Sequence, residues 1–429
     1  METTVVLDRL DEHFLGLDRE AEPWNVHFEV HVAGRLDAER LAGAIAAAMQ
    51  RHPIARASLS DWRGYERRYH WRIADAPAVP LAVANCADEQ ELDIAREALL
   101  RVSPGLAAPP PFAVLLAHTA DGDALVLSLH HAAGDGIAAA RLMRSILLAY
   151  AGEDDPAPPV DPLTARDVQA LAGATTRAER RMRWRALVRQ AAARVIPPAR
   201  LARRGGRDHA GYGVVHTALT REETRALDTA RPAGATINDF LLGALAVTAR
   251  RWNAAYGRRV APIALTMPVN LRPEEWRDEV VGNFASYVSV VVGASARDVR
   301  RATESVARQT RAIKRDRLAG TVVDLLDAPS MQMIAVKRRM ADLIPLTGDV
   351  VVDTASLSNL GVLEPLPGDV RAVWFSPPGR MPLGAAIGVV AHGGSLHLTL
   401  RYRHAQFDRA AARQFLALFR GVLAWPTDA

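Results

Sequence analysis

A chain of 429 residues exceeds what one hydrophobic core usually organises, so two lobes or domains are the starting expectation. Hydrophobic residues at 49% and charged residues at 24% exclude a disordered or fibrous chain. The formal charge of +5 is local, because residues 177–207 hold eleven arginines against the single acid Glu179 and leave the remainder net acidic.

The longest mostly apolar stretches, such as Leu41–Met49, are far short of the ~18 residues a membrane span needs. The opening METTVVLDRLDEHF carries acids where a signal peptide would carry a basic region and an apolar run. A cytoplasmic protein without transmembrane association is therefore expected. Lys314 and Lys337 are the two lysines among 53 basic residues, a coding bias to which no function is attached. The single cysteine, Cys86, rules out an internal disulfide and a multi-thiolate metal site, and it reads as an inert thiol in a strand-to-helix loop.

In chain order, NVHFEVHV at 25–32 alternates strictly, with Val26, Phe28, Val30 and Val32 on one face, and predicts a half-buried strand. Asp37 can cap a helix whose Leu41, Ile45, Ala48 and Met49 recur at helical spacing before Pro53. DEQELDIAREALLR at 88–101 predicts another helix. PFAVLLAH and ALVLSLHH flank the turn Asp121-Gly122-Asp123 as a hairpin, and IAAARLMRSILLAY predicts a helix ending at Tyr150. These elements make a first α/β lobe over 1–150. The proline-rich and then arginine-rich stretch 151–213 reads as a crossover, and a second α/β lobe fills 214–429. The second lobe is expected to hold a helix at 237–256 closed by Gly257, strands at 261–269 and 284–292, a polar helix at 297–316, the hairpin GAAIGVVA–HGG–SLHLTLRY, and a last helix capped by Asp408.

No GxxxxGK[ST], GxGxxG, GxSxG or HExxH pattern is present in a supporting context, which removes most large enzyme classes. One constellation carries chemistry. At the end of the apolar strand 124–129 stands His130-His131-Ala132-Ala133-Gly134-Asp135-Gly136. An HHxxxDG pattern arises by chance on the order of once in a thousand sequences of this composition. Alternation places His131 with Leu125, Leu127 and Leu129, and His130 with Val126 and Ser128. A desolvated, neutral imidazole suits a general base. Adjacent histidines on a strand face opposite ways, so a shared metal ion is disfavoured and none is expected. Asp135 is displaced from a triad position and can instead hold the loop through a buried arginine. The plainer reading is two core histidines and an Asp-Gly turn.

HHAAGDG in this setting resembles the active-site motif of the chloramphenicol-acetyltransferase-like superfamily. That superfamily includes non-ribosomal peptide condensation domains, polyketide-associated acyltransferases and wax ester/diacylglycerol acyltransferases. The resemblance runs through the chain: VLDRLDEHFL, the hairpin before the loop, GATINDFLLGALAVTARRW, MPVNLRP, GNF and SNLG occur in the family's order. It implies two acetyltransferase-like lobes in a V-shaped pseudo-dimer with a tunnel between them, an α/β fold of two layers. It further implies His131 as the base and Gly136 near the developing oxyanion. His130, Asp135 and Arg272 would be structural at the site, with Asp135 paired to Arg272. Asn283, Ser358 and Asn359 are candidates for shaping the tunnel or holding a loop.

The expected function is that of a stand-alone acyltransferase. It would move an acyl group from coenzyme A or a phosphopantetheinyl carrier-protein thioester to a hydroxyl or amine of a specialised metabolite. No bound cofactor is expected; the acyl-CoA or carrier thioester is a substrate. The alternatives are a lipid O-acyltransferase of the wax ester/diacylglycerol type and a non-catalytic relative that binds a carrier or ligand. Residues 177–207 are a candidate basic docking surface, although a solvated crossover is the plainer reading. Only Trp184 interleaves these arginines, and nucleic acid is not an expected partner. Two departures stand out: Ala138 occupies a position where condensation domains often carry serine, and the plant-type DFGWG segment is absent.

Overall fold

The computed structural model describes residues 3–20, 22–156, 160–192, 197–205, 211–276, 281–330, 332–343, 352–379 and 383–424. The first half contains β1 (Thr3–Val6), α1 (Arg9–Leu17), β2 (Asn25–Val32), α2 (Ala38–Arg51), β3 (Ala57–Leu59), β4 (His70–Ile73), β5 (Leu81–Asn85), α3 (Glu89–Leu100), β6 (Phe112–Thr119), β7 (Gly122–His130) and α4 (Gly136–Ala151). Short α5 (Val168–Ala172) and α6 (Arg177–Ala192) form the crossover. The second half contains β8 (Tyr212–Leu219), α7 (Arg221–Ala230), α8 (Ile237–Ala255), β9 (Ile263–Asn270), β10 (Ala285–Val292), α9 (Val299–Arg315), α10 (Thr321–Ser330), α11 (Ile334–Leu343), β11 (Ala355–Val362), β12 (Val370–Ser376), β13 (Ala385–His392), β14 (Ser395–Arg403) and α12 (Arg409–Ala424).

Local chemistry explains the boundaries. Asp37 accepts from the Arg40 amide at 2.7 Å and starts α2, while Asp88 accepts from Glu91 at 2.9 Å and starts α3. α8 opens on a reciprocal Thr236/Asp239 capping box, and Gly257 stands two residues past it at φ +69°. The Asp408 carboxylate takes the Ala411 amide at 2.8 Å and caps α12.

Two large sheets form the lobes. The first has the order β12-β2-β7-β6-β5, and α2 and α4 cover one face with Leu41, Ile45, Leu142 and Ile146 against Phe28, Leu125 and Leu127. The second has the order β10-β9-β11-β13-β14-β8 and packs on α8, α9 and α12 through Phe240, Leu245, Val306 and Phe415. A small sheet, β1-β4-β3, adjoins the first lobe's core. The molecule is thus a mixed α/β protein of two sheet-and-helix lobes.

β12 belongs to the first sheet, although its position in the chain groups it with the second lobe. It runs antiparallel to β2, with Phe375 opposite Phe28 and Trp374 opposite Glu29. Val373 and Phe375 enter the first core, while Trp374 stacks on His216 of β8 at 4.7 Å between ring centres. Alternation thus ties one lobe to the other. Gly388 of β13 makes the crossing passable, because a Cβ there would lie 1.8 Å from the Phe375 carbonyl oxygen.

The expected half-buried β2 is buried on both faces, including Asn25, His27 and Glu29. The polar face is internally satisfied, which is why alternation did not signal exposure. Glu29 accepts from Arg96 at 2.7 and 2.6 Å, pairs with His27 at 2.9 Å and with His31 at 2.6 Å, while Arg401 donates to the Asn25 carbonyl at 2.8 Å. Burial alone would raise the Glu29 carboxyl, but Arg96 and the two histidines hold it well below the usual carboxylate range.

In the arginine-rich crossover, Arg183 is buried against Glu179 at 2.7 Å and Asp324 at 2.8 Å, which fixes α6 to α10. Trp184 and Val188 of the same helix are exposed. Arg194 and Arg207 of this segment lie outside the described residues.

Candidate active site

β7 delivers its last residue, His130, into a tight turn that ends where Asp135 caps α4. The Ala133 amide bonds to the His130 carbonyl at 2.9 Å, and the Ala138 amide bonds to the Asp135 carboxylate at 3.0 Å. Small residues are required here. A Cβ on Gly134 would lie 2.6 Å from the Leu129 side chain, and one on Gly136 would lie 2.6 Å from the Phe375 ring and 2.8 Å from Leu360. Gly136 therefore begins α4 pressed directly against β11 and β12.

The two histidines part as alternation requires. His131 lies flat against Phe14 of α1, with ring centres 4.2 Å apart and planes at 19°, and its amide bonds to the Trp24 carbonyl at 2.9 Å. Burial drives its pKa down to about 4; its own backbone carbonyl and Asp135 oppose that shift, and His130 adds to it. The ring is therefore neutral near pH 7. Its Nδ1 is sealed in the interior, and Nε2 is the other ring nitrogen. His130 turns the other way. Its Nδ1 accepts the Ala132 amide at 3.1 Å, so its proton sits on Nε2, 3.6 Å from Asp18. Asp18 also accepts the Trp24 amide at 2.7 Å and the Ser103 hydroxyl at 2.5 Å. His130 thus holds the turn that aims His131.

Asp135 and Arg272 meet across the lobes. Arg272 donates Nη1 to Oδ2 at 2.6 Å and Nη2 to Oδ1 at 3.0 Å, and it also donates to the Gly282 carbonyl at 2.7 Å. The guanidinium lies 4.5 Å from the centre of the Phe284 ring, and the Phe284 amide donates to Asp135 at 2.9 Å. Burial would raise the Asp135 carboxyl, yet Arg272 and the two amides bring it below the ordinary value.

The three loop candidates separate. Asn283 sits between the two clamped residues, accepts the Ala285 amide at 3.3 Å, and keeps its Nδ2 buried without a partner. Asn359 accepts the Gly361 amide at 2.9 Å, where Gly361 takes φ +78°, and so holds the end of β11. Ser358 is buried in β11 opposite Gly388. Among the described residues, no group of three His, Cys, Asp or Glu side chains is arranged to hold a metal ion. No described helix is long and apolar enough to cross a membrane. Cys86 is buried between β5 and α3, and burial pushes its thiol pKa up.

Sequence reasoning did not single out Phe14, His13, Asp18, Trp24 or Tyr287. His13 adjoins Phe14 on α1 and hydrogen-bonds Tyr287 of β10 at 3.0 Å. A signal existed in the opening segment: Asp8 and Asp11 form a capping box, which predicts a helix with Leu10 and Phe14 on its inward face.

The two sheet-and-helix lobes, joined by the buried Asp135–Arg272 pair, have the fold of condensation domains, matching the first condensation domain of the CDA synthetase with a TM-score of 0.69 at 16% identity, over 99% of this chain and 95% of that one. The family model of the condensation domain matches residues 13–321, and the chain belongs to that family. An uncharacterised protein of Mycobacterium tuberculosis is 36% identical over 438 residues, covering 99% of this chain and 100% of the relative. A diacylglycerol O-acyltransferase candidate of the same organism is 28% identical over 191 residues, 43% of this chain and 35% of its own. Among solved structures, the starter condensation domain of rhizomide synthetase superposes with a TM-score of 0.70 at 14% identity, over 100% of this chain and 95% of that one.

Proposed function

We propose that the protein transfers an acyl group from a coenzyme A or carrier-protein thioester to a hydroxyl or amine of a small-molecule acceptor, with His131 as the general base. The observation that carries this reading is His131 itself: a neutral imidazole stacked on Phe14, with Nδ1 sealed away, at the end of β7. Nε2 takes the acceptor's O–H or N–H proton as the acceptor's heteroatom bonds to the thioester carbon. The tetrahedral oxyanion then collapses, the C–S bond breaks, and the imidazolium returns the proton to the departing thiolate. An ester or amide and a free thiol result. A base so positioned contributes roughly 10²–10⁴-fold in rate. No acyl-enzyme is needed, in keeping with the lack of an activated serine or cysteine at the site. Gly136 lies beside the reacting centre in this reading, and Asn283, with its unpartnered Nδ2, is a candidate to line the same space.

The rhizomide synthetase domain was solved in complex with C8-CoA and Leu-SNAC, which supports a pantetheine thioester as the donor here. The diacylglycerol O-acyltransferase relative supports a second reading, acyl transfer to a lipid alcohol. Thiol release from a panel of acyl-CoAs, with and without pooled alcohols and amines, tests both. Acceptor-stimulated release by wild type and a loss of 10²-fold or more in His131→Ala are expected. Equal stimulated release in the two proteins would remove His131 from the chemistry. Release with long alkanols and diacylglycerol alone would select the lipid reading.

A further inference from the structure

We propose that the outer face of α6 docks the protein on the surface of a bilayer carrying anionic phospholipid. The inference goes beyond the acyl-transfer reading and does not depend on it. α6 has the sequence RAERRMRWRALVRQAA. At about 100° of turn per residue, Arg177, Arg181, Trp184, Arg185 and Val188 fall within one stripe about 100° wide. All five are exposed, Trp184 at 57% and Val188 at 48%.

By the same rotation, Glu179, Arg183 and Gln190 centre on the opposite side of the helix, and there they hold it to the body of the protein. Arg183 bonds Glu179 and Asp324 of α10, and Gln190 donates to the Ser289 carbonyl of β10 at 3.0 Å. The outer stripe is therefore fixed in place and cannot roll inward to cover its indole.

Charge and apolar surface together select the occupant. Arg177, Arg181 and Arg185 meet no carboxylate at ion-pair distance among the described residues, whereas flanking Arg180 reaches Asp327 at 3.6 Å. Cations that the fold leaves uncompensated complement an anionic surface, and each planar guanidinium can bond two phosphate oxygens. Trp184 and Val188 stand within that row of arginines, one turn apart. A headgroup layer takes both kinds of side chain at once, because indole rings settle at the membrane–water interface while arginines meet the phosphates beside them. An acidic protein would satisfy the arginines, but it would also need an apolar pocket matched to the indole. With two apolar side chains in the stripe, the docking is peripheral, reversible and sensitive to salt.

The test is co-sedimentation of the full chain with extruded vesicles, of phosphatidylcholine alone and of phosphatidylcholine with phosphatidylglycerol at two to one. The variants are Arg181→Gln/Arg185→Gln, Trp184→Ala and, as a control, Arg300→Gln/Arg301→Gln, which removes the same charge from exposed arginines of α9. Wild type should partition onto the anionic vesicles and not onto phosphatidylcholine, and high salt should release it. Partition should fall roughly twentyfold in the α6 double variant and roughly fivefold in Trp184→Ala, and stay near wild type in the α9 variant. Melting temperatures should not change, because the replaced side chains are exposed. Wild type that stays in solution with both vesicles overturns the proposal. So does an equal loss in the α9 variant, which marks net charge alone, or full partition in Trp184→Ala. Wild type that ignores vesicles yet binds an acidic acyl carrier protein, with that binding lost in the α6 double variant, gives the face to a protein partner and overturns the proposal too. Thiol release is not part of the readout, so a failure of the acyl-transfer reading leaves this result standing.

Discussion

Replacing Asp135 by asparagine removes one charge and turns one acceptor into a donor at a buried, four-bonded site. Each carboxylate oxygen takes one bond from Arg272 and one from a backbone amide, Phe284 on Oδ2 and Ala138 on Oδ1. Whichever way the asparagine turns, its NH₂ faces two donors. The guanidinium, its side chain fully buried, then faces an amide where its carboxylate stood. Removing one member of a buried ion pair costs about 3–5 kcal/mol, of which about 1 kcal/mol is attributable to the α4 cap. The melting temperature should fall by on the order of 10 °C, read by circular dichroism at pH 7, and activity should fall with it as β10 loses its anchor. Because the folded carboxyl is depressed, its stabilisation is present above the ordinary carboxylate pKa and is lost as pH falls through the folded value. The gap between variant and wild type should therefore narrow in acid. Arg272→Met should be comparably destabilising, and the double variant should lose less than the sum of the singles by about 1–3 kcal/mol. Asp135→Asn melting within a degree or two of wild type with full activity, or strict additivity in the cycle, would refute the clamp.

Gly388→Ala sets a methyl group against the Phe375 carbonyl and the Ser376 Cα, backbone atoms that yield only if β12 leaves β2; a loss at or above the roughly 1–3 kcal/mol of ordinary overpacking is expected, and an unchanged urea midpoint would contradict the crossing. Buried His27, His52, His131 and His397 all have lowered pKa values, so the unfolded chain binds protons below about pH 6.5 that the folded one refuses. Stability should be full above pH 6.5 and fall on acidification by about 1.4 kcal/mol per pH unit for each histidine that stays neutral; urea unfolding at pH 7 and pH 5 measures this, and a flat profile would show that these rings are hydrated.

The helices were legible because their caps and apolar faces are local. Asp37, Asp88 and Asp408 start helices where expected, and the hairpin pairing of β6 with β7 follows from alternation around Gly122. The strand-end histidines were legible for the same reason. What escaped is non-local. The four residues of each face of β2 look amphipathic in isolation, yet Arg96, 67 positions from Glu29 and in a helix, neutralises it and lets the polar face be buried. Residues 370–376 fall within the stretch read as the second lobe with no strand predicted there, and only their pairing with β2 places them in the first sheet. His13 and Tyr287 carry no spacing signal at all, since 274 positions separate them.

The HHxxxDG turn and the interlobe joint are mechanically one device. The turn holding His131 is pinned behind by His130 and Asp18, alongside by Trp24 and Phe14, and ahead by Asp135, whose carboxylate ends on Arg272 and Phe284 in the other lobe. A rotation of one lobe that stretched the Asp135 bonds by even an ångström would disturb the cap of α4 and with it the turn four residues upstream. The polar β2 face is a second interlobe tie, because Arg401 of β14 donates to the Asn25 carbonyl and side-chain oxygen at 2.8 and 2.6 Å, beside a network of Glu29, His27, His31 and Arg96 within the first lobe. Lobe motion is therefore constrained both at the HHxxxDG turn and at the start of β2, and under the proposed function a base that acts by placement needs that geometry fixed.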